Sequence, residues 1–207
     1  MMNKRFLIST WGFLMRFVYT LDHSHTVIRY TIVPCTLGKL LVAGTEHGIC
    51  AVSMADSERP QLQFLTAEYP TAEFQCDDAG LRAWSGAIVK HLAGKQRDLD
   101  LPIDVPATPF QRRVWQELCK IPYGQVTWYS HIAERIGRPM AIRAVARACA
   151  TNPVAIVVPC HRVIGVDGSL RGYRWGLERK QAMIERETKR PIDSRRALDR
   201  SLWLLAS

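Results

Sequence analysis

Two short amphipathic segments hinged at Gly137-Arg138-Pro139 constrain this chain more tightly than anything else in its 207 residues. Tyr129, Ile132, Ala133 and Ile136 recur at i, i+3, i+4 and i+7, the period of one buried stripe on a helix that Thr127 would cap. Ile142, Val145, Ala146 and Cys149 repeat that spacing on a second helix. A glycine turn between two such helices is the helix-turn-helix plan, although any αα-hairpin shares the pattern. Away from its stripe the second helix presents Arg143 and Arg147, with Ala144 and Ala148 between them. Small residues there would let the helix approach a surface closely.

The charge bears on that alternative. The chain carries 28 Lys+Arg against 19 Asp+Glu, a net of +9, and residues 109–190 alone hold 15 against 6. Residues 1–108 hold 10 against 11, so the basic excess is confined to the segment containing the helix pair. A basic domain beside a near-neutral one suggests a polyanion partner, nucleic acid first; a solvated basic surface without a partner is the other reading.

Asn152-Pro153 breaks the second helix and leads into an apolar, strand-like run, Val154-Ala155-Ile156-Val157-Val158, then Pro159-Cys160-His161-Arg162-Val163. Free cysteine is among the most buried residue types, so an inert thiol is one reading of Cys160. The other is a nucleophile, because a cationic, partly exposed setting beside His161 and Arg162 would lower the thiol pKa. The six cysteines form no Cys-x-x-Cys pair, which suits a reducing compartment with mostly structural thiols rather than a disulfide framework or a zinc site. Beyond Cys160, Asp167-Gly168 signals a hairpin whose returning limb holds Arg171, Tyr173 and Arg174, a basic wing.

The remainder sets the domain plan. Residues 1–25 begin like a signal peptide but are interrupted by Arg16, and are expected to be a poorly ordered extension that neither exports the chain nor spans a bilayer. From Val27 to Met54 three apolar runs separated by turn signals predict an antiparallel meander. Helices are expected over 60–69 and 78–93, and an edge strand over 99–103, with His47 and His91 as surface or packing histidines. A proline-rich linker from Pro102 to Pro109 divides residues 26–105 from residues 106–190, and residues 191–207 are a tail. Thr108-Pro109 opens a helix with Phe110, Val114, Trp115 and Leu118 buried, and residues 177–187 form the last helix.

With these residues in view, the chain resembles the O6-alkylguanine-DNA alkyltransferases, also called methylated-DNA–protein-cysteine methyltransferases. The resemblance rests on Pro159-Cys160-His161-Arg162-Val163, Arg143-Ala144-Val145, Asn152-Pro153 and Gly172-Tyr173-Arg174-Trp175-Gly176, and extends back to about Ile28. It implies an α+β fold, with an RNase H-like domain carrying a small sheet and helices ahead of a winged helix-turn-helix domain. It implies that Cys160 accepts an alkyl group from O6-alkylguanine in double-stranded DNA, once and irreversibly, after the base is flipped; O4-alkylthymine is left open as a second substrate. His161 would connect through water to Glu187 and help deprotonate the thiol, and Asn152 would brace the active-site loop. Arg143 would fill the space of the flipped nucleotide, with Ala144, Arg147 and Ala148 against the DNA. Tyr129 would turn the 3′ phosphate and assist the leaving base, and Val163, Tyr173, Arg174 and Lys180 would line the base pocket. Relatives with tryptophan in place of the cysteine only bind lesions, so Cys160 implies transfer. The zinc ligands of other members are not all matched, so no metal and no cofactor is implied. A monomer, cytoplasmic and associated with the nucleoid through DNA, is the expected form. Two rival classes remain, a winged-helix regulator with an inert cysteine and a cysteine hydrolase.

Overall fold

The computed structural model describes residues 17, 18 and 26–189. Strand β1 (Phe17–Val18) lies at one edge of a six-stranded sheet that also contains β2 (Val27–Cys35), β3 (Gly38–Gly44) and β4 (Ile49–Ala55). These three are the expected antiparallel meander. Gly38 makes its first turn possible: φ is +104°, and an added Cβ would meet the Ala55 carbonyl at 2.7 Å. Helix α1 (Glu58–Glu68), strand β5 (Glu73–Cys76), helix α2 (Arg82–Leu92) and strand β6 (Ile103–Asp104) complete the first half, with sheet order β1-β6-β4-β3-β2-β5.

Side chains alternate across the sheet. Leu40 and Val42 face a core shared with the carboxy-terminal half, while Leu41 and Ala43 pack with Leu65 and Tyr69 under α1. Both faces are covered, which is why β3 and β4 read as unbroken apolar runs. Two expectations change here. Of the edge strand predicted over 99–103 only Ile103 pairs, together with Asp104 beyond it, and β6 lies between β1 and β4 because Phe17–Val18 takes the edge. That pairing also draws two residues of the expected amino-terminal extension into the sheet, while the rest of that extension and the 191–207 tail lie outside the described residues. Among the described residues no helix is long and apolar enough to cross a membrane.

The second half contains α3 (Pro109–Cys119), β7 (Thr127–Trp128), α4 (Tyr129–Arg135), α5 (Ile142–Ala150), a 3-10 turn at Cys160–Arg162, β8 (Val163–Ile164) and α6 (Leu177–Thr188). Thr108 and Gln111 form a reciprocal capping box at the start of α3, with Pro109 in its first turn. Trp115 on α3 is 1% exposed and donates its indole N–H to the Ala148 carbonyl of α5 at 2.9 Å. Burial of such a side chain contributes about 3 kcal/mol, and it holds the helix pair against α3.

Thr127 does not cap α4. It belongs to β7, whose parallel pairing with β8 extends its backbone, and its Oγ1 lies 3.0 Å from His131 Nδ1 instead. The Asp167-Gly168 turn forms, with Gly165 N donating to Ser169 O at 2.8 Å, but the returning limb does not pair as a strand. Nor is 154–158 a strand. Val158 N returns to Val154 O at 3.0 Å through a turn with Ile156 at φ 74°. The run is apolar because it is buried on every side, a demand that a tight loop meets as well as a strand.

The two halves share one hydrophobic cluster, from Leu40 and Ile88 to Val158 and Met183. Val52 N on β4 donates to Pro153 O at 2.8 Å, so the loop carrying the cysteine is laid directly on the sheet.

Candidate active site

Cys160 opens the 3-10 turn and is 5% exposed, beside fully buried His161 and 7% exposed Arg162. Asn152 organises the loop between itself and the cysteine. Its amide donates to Val158 O at 3.0 Å and to Cys160 Sγ at 3.2 Å, while its Oδ1 accepts from Val154 N at 3.0 Å. Helix-breaking Pro153 frees Asn152 to reach forward in this way.

The expected partly exposed thiol with a lowered pKa is corrected by the burial. Desolvation pushes the Cys160 pKa up, and the Asn152 hydrogen bond and the Lys180 and Arg174 charges offset this only in part. The resting cysteine is therefore a protonated thiol, and a base must remove the proton before it can attack.

His161, next in the chain, is hydrogen-bonded to Glu187. Glu187 Oε1 accepts directly from His161 Nε2 at 2.8 Å, so no water stands between them. Arg162 clamps the same carboxylate with Nε to Oε2 at 2.7 Å and Nη2 to Oε1 at 3.1 Å, and its Nη1 holds the Ile121 carbonyl at 2.8 Å. Gly124 N adds a fourth donor at 3.3 Å. Burial would raise the Glu187 pKa, but His161 and Arg162 outweigh it and hold the carboxyl far below the usual range. Burial keeps His161 neutral, against the pull of Glu187. An ionised carboxylate only accepts, so His161 carries its proton on Nε2 and leaves Nδ1 as a free lone pair. Nδ1 is buried without a hydrogen-bond partner.

Of the expected pocket residues, Val163 and Lys180 are fully buried. Lys180 spends its ammonium on Val163 O at 2.7 Å and Leu170 O at 2.6 Å, which fastens the loop after the cysteine. Burial holds its pKa at about 8. Tyr129 is 9% exposed on the inward stripe of α4, with Lys180 Nζ 5.9 Å from its ring centre. Burial raises its pKa, so the hydroxyl stays protonated. The Tyr173 hydroxyl is buried and unpartnered. Arg174 lies over Phe64 and Trp175 at 5.3 and 5.8 Å and pairs with Glu68 at 3.4 Å, and its charge still acts on Cys160.

On α5 the inward stripe is Val145, Ala148 and Cys149, while Arg143, Ala144 and Arg147 are exposed. Ala148 is thus removed from the expected DNA-facing set, at 3% exposure, and Ile142 turns outward at 43%. Trp115 on α3 donates its indole N–H to the Ala148 carbonyl, which ties this side of α5 to the core.

Two residues in contact with Glu187 escaped the sequence. Arg162 looked like a generic cation beside the thiol, and only the fold brings Glu187 to it. His91, on α2, was expected to be a surface or packing residue. It is 4% exposed and places Nε2 3.6 Å from Glu187 Oε1. Its one signal was a histidine on a buried helical stripe. Among the described residues no group of three or more His, Cys, Asp or Glu could hold a metal ion.

Two family models match, the ribonuclease-like domain of 6-O-methylguanine DNA methyltransferase over residues 28–105 and its DNA binding domain over residues 109–189. The chain is 41% identical over 162 residues to the bifunctional transcriptional activator/DNA repair enzyme Ada of Escherichia coli, covering 78% of this chain and 46% of Ada, about half its length. It is 40% identical to the inducible methylated-DNA–protein-cysteine methyltransferase of Bacillus subtilis, covering 72% and 83% of the two chains. A solved O6-methylguanine methyltransferase from Mycobacterium tuberculosis superposes with TM-score 0.67 at 33% identity, covering 84% of this chain and 98% of that one. The OGT of that organism in complex with DNA gives 0.65 at 34% identity, covering 81% and 96%.

Proposed function

The chain belongs to the 6-O-methylguanine DNA methyltransferase family, and from that premise we propose that it repairs duplex DNA by moving the alkyl group of O6-alkylguanine onto Cys160. The observation that carries this reading is the Cys160 thiol, braced by Asn152 beside the His161–Glu187 pair and about ten residues from a basic helix.

A methyl group on guanine O6 lies inside the base stack, so the nucleotide must be extruded, at a cost of a few kcal/mol. Contacts between the basic surface around α5, Arg147 included, and phosphates offset that cost without reading sequence. Arg143 takes the vacated space, and Ala144 lets the helix lie close to a shallow groove. His161 Nδ1 accepts the thiol proton, directly or through one water, and Glu187 stabilises the imidazolium that results. The thiolate attacks the alkyl carbon in line. The S–C bond forms as the C–O6 bond breaks, and the bonding pair goes to the guanine, which takes a ring proton from the Tyr129 hydroxyl; the tyrosine is reprotonated through solvent as the His161 imidazolium returns its proton, so no buried tyrosinate remains. The thioether is not hydrolysed, so each molecule, acting as a monomer, reacts once. O4-alkylthymine presents the same oxygen–alkyl bond and is the second substrate to test.

Intact-protein mass spectrometry after incubation with an O6-methylguanine duplex tests the reading. The native chain should gain one methyl group at Cys160, and C160A should bind the duplex and gain nothing. Transfer by C160A, or no gain by the folded, reduced native chain, overturns it. Tight binding to one DNA sequence with no change of mass would instead support the regulator.

A further inference from the structure

We propose that His91, delivered by α2 of the amino-terminal domain, is a positioning residue that holds Glu187 for His161 and competes with His161 for the same carboxylate oxygen. The inference deepens the transfer reading above and rests on it.

The geometry is specific. Glu187 Oε1 receives His161 Nε2 at 2.8 Å and faces His91 Nε2 at 3.6 Å. His91 Nδ1 has no partner and Nε2 has only this longer contact with Glu187, although the residue is 4% exposed. Burying an imidazole with so little hydrogen bonding is unfavourable, and an apolar ring would fill the space without that cost. Tyr123 meets the imidazole edge to face, with ring centres 5.4 Å apart. A narrow crevice between the two halves, lined by His91, Tyr123, Arg186 and Glu187, reaches this point. The other groups around it are accounted for. Arg162 is committed to Glu187, Arg186 to Thr36 and the Leu92 carbonyl, Arg97 lies beyond Tyr123, and Lys90 on the same helix is exposed.

Both imidazoles present Nε2 to one carboxylate oxygen, so what one takes from Oε1 the other loses. A proton on His91 strengthens its hold on Oε1 and disfavours a proton on His161. A neutral His91 leaves that oxygen to the imidazolium formed when the thiol gives up its proton. The amino-terminal domain thus reaches the proton-transfer machinery through one side chain.

The single-turnover rate with the free base O6-benzylguanine, followed against pH, tests this without involving DNA. H91F removes the competitor, so His161 becomes more basic and stays blocked by a proton to higher pH. The acid limb should move up by about one unit, roughly a tenfold loss at its low end, and the plateau should fall. H91Q keeps a donor toward Oε1 but cannot titrate. It should restore the plateau and keep the displaced limb, a split that altered packing alone would not produce. Native limbs in both folded variants overturn the proposal. If neither variant folds, NMR titration of the native rings decides: coupled titration of His91 and His161 is expected, and independent titration overturns it. Mass gain at Cys160 of the native chain, measured in parallel, separates failure here from failure of the transfer reading.

Discussion

Replacing Glu187 by glutamine would remove one charge and almost no volume, which isolates what the carboxylate does. Its two oxygens accept four donors: His161 Nε2 at 2.8 Å, two Arg162 nitrogens at 2.7 and 3.1 Å, and Gly124 N at 3.3 Å. The amide NH2 of glutamine must oppose some of these donors whichever way it is turned. Arg162, with its side chain 8% exposed, is then left as a buried, uncompensated charge. Breaking a buried pair in this way costs about 3–5 kcal/mol, and at about 2–4 °C per kcal/mol for a chain of this size the midpoint should fall by roughly 6–20 °C. Transfer suffers separately. His161 loses the acceptor that fixes its tautomer and stabilises its charged form, and general-base assistance of this kind is worth about 10²–10⁴ in rate. Single-turnover quench assays on an O6-methylguanine duplex, run well below the variant's midpoint beside scanning calorimetry, should show at least about a hundredfold loss. The pH dependence follows from the depressed Glu187 pKa. The native carboxylate contributes stability above the ordinary carboxylate pKa and loses it as pH falls through the folded value, and E187Q should flatten that acid slope. A variant with native rate and native midpoint would refute the base assignment and the energetic reasoning together.

Three further outcomes follow. N152A removes the donor 3.2 Å from Cys160 Sγ, so the thiol pKa rises further and the pH profile of iodoacetamide labelling moves upward; an unmoved profile refutes the role. R143A should slow repair of duplex DNA far more than reaction with O6-benzylguanine, and equal losses would contradict a part in extruding the base. Lys180, held at about 8 by burial, binds fewer protons folded than unfolded above that pH. Native stability should therefore rise from pH 8 toward the ordinary lysine pKa of about 10.4, and urea midpoints of K180M should lack that rise.

Sequence alone determined the helix pair, the meander, the capped start of α3 and the cysteine with its flanking residues. Each rests on contacts close along the chain: helical stripes at three and four residues, strand alternation at two, and a proline where a helix must stop. What lies far apart in sequence had to await the tertiary structure. His161 and Glu187 are 26 residues apart and His91 is further still, and nothing in their spacing says that three elements deliver them to one carboxylate. Periodicity leaves the phase of a short helix loose, so it cannot tell that Ala148 faces inward and Ile142 outward; packing across the core decides that. The thiol's protonation was misjudged for the same reason. Neighbours in sequence are cationic, but desolvation is set by everything packed around the sulfur, and that is a property of the fold.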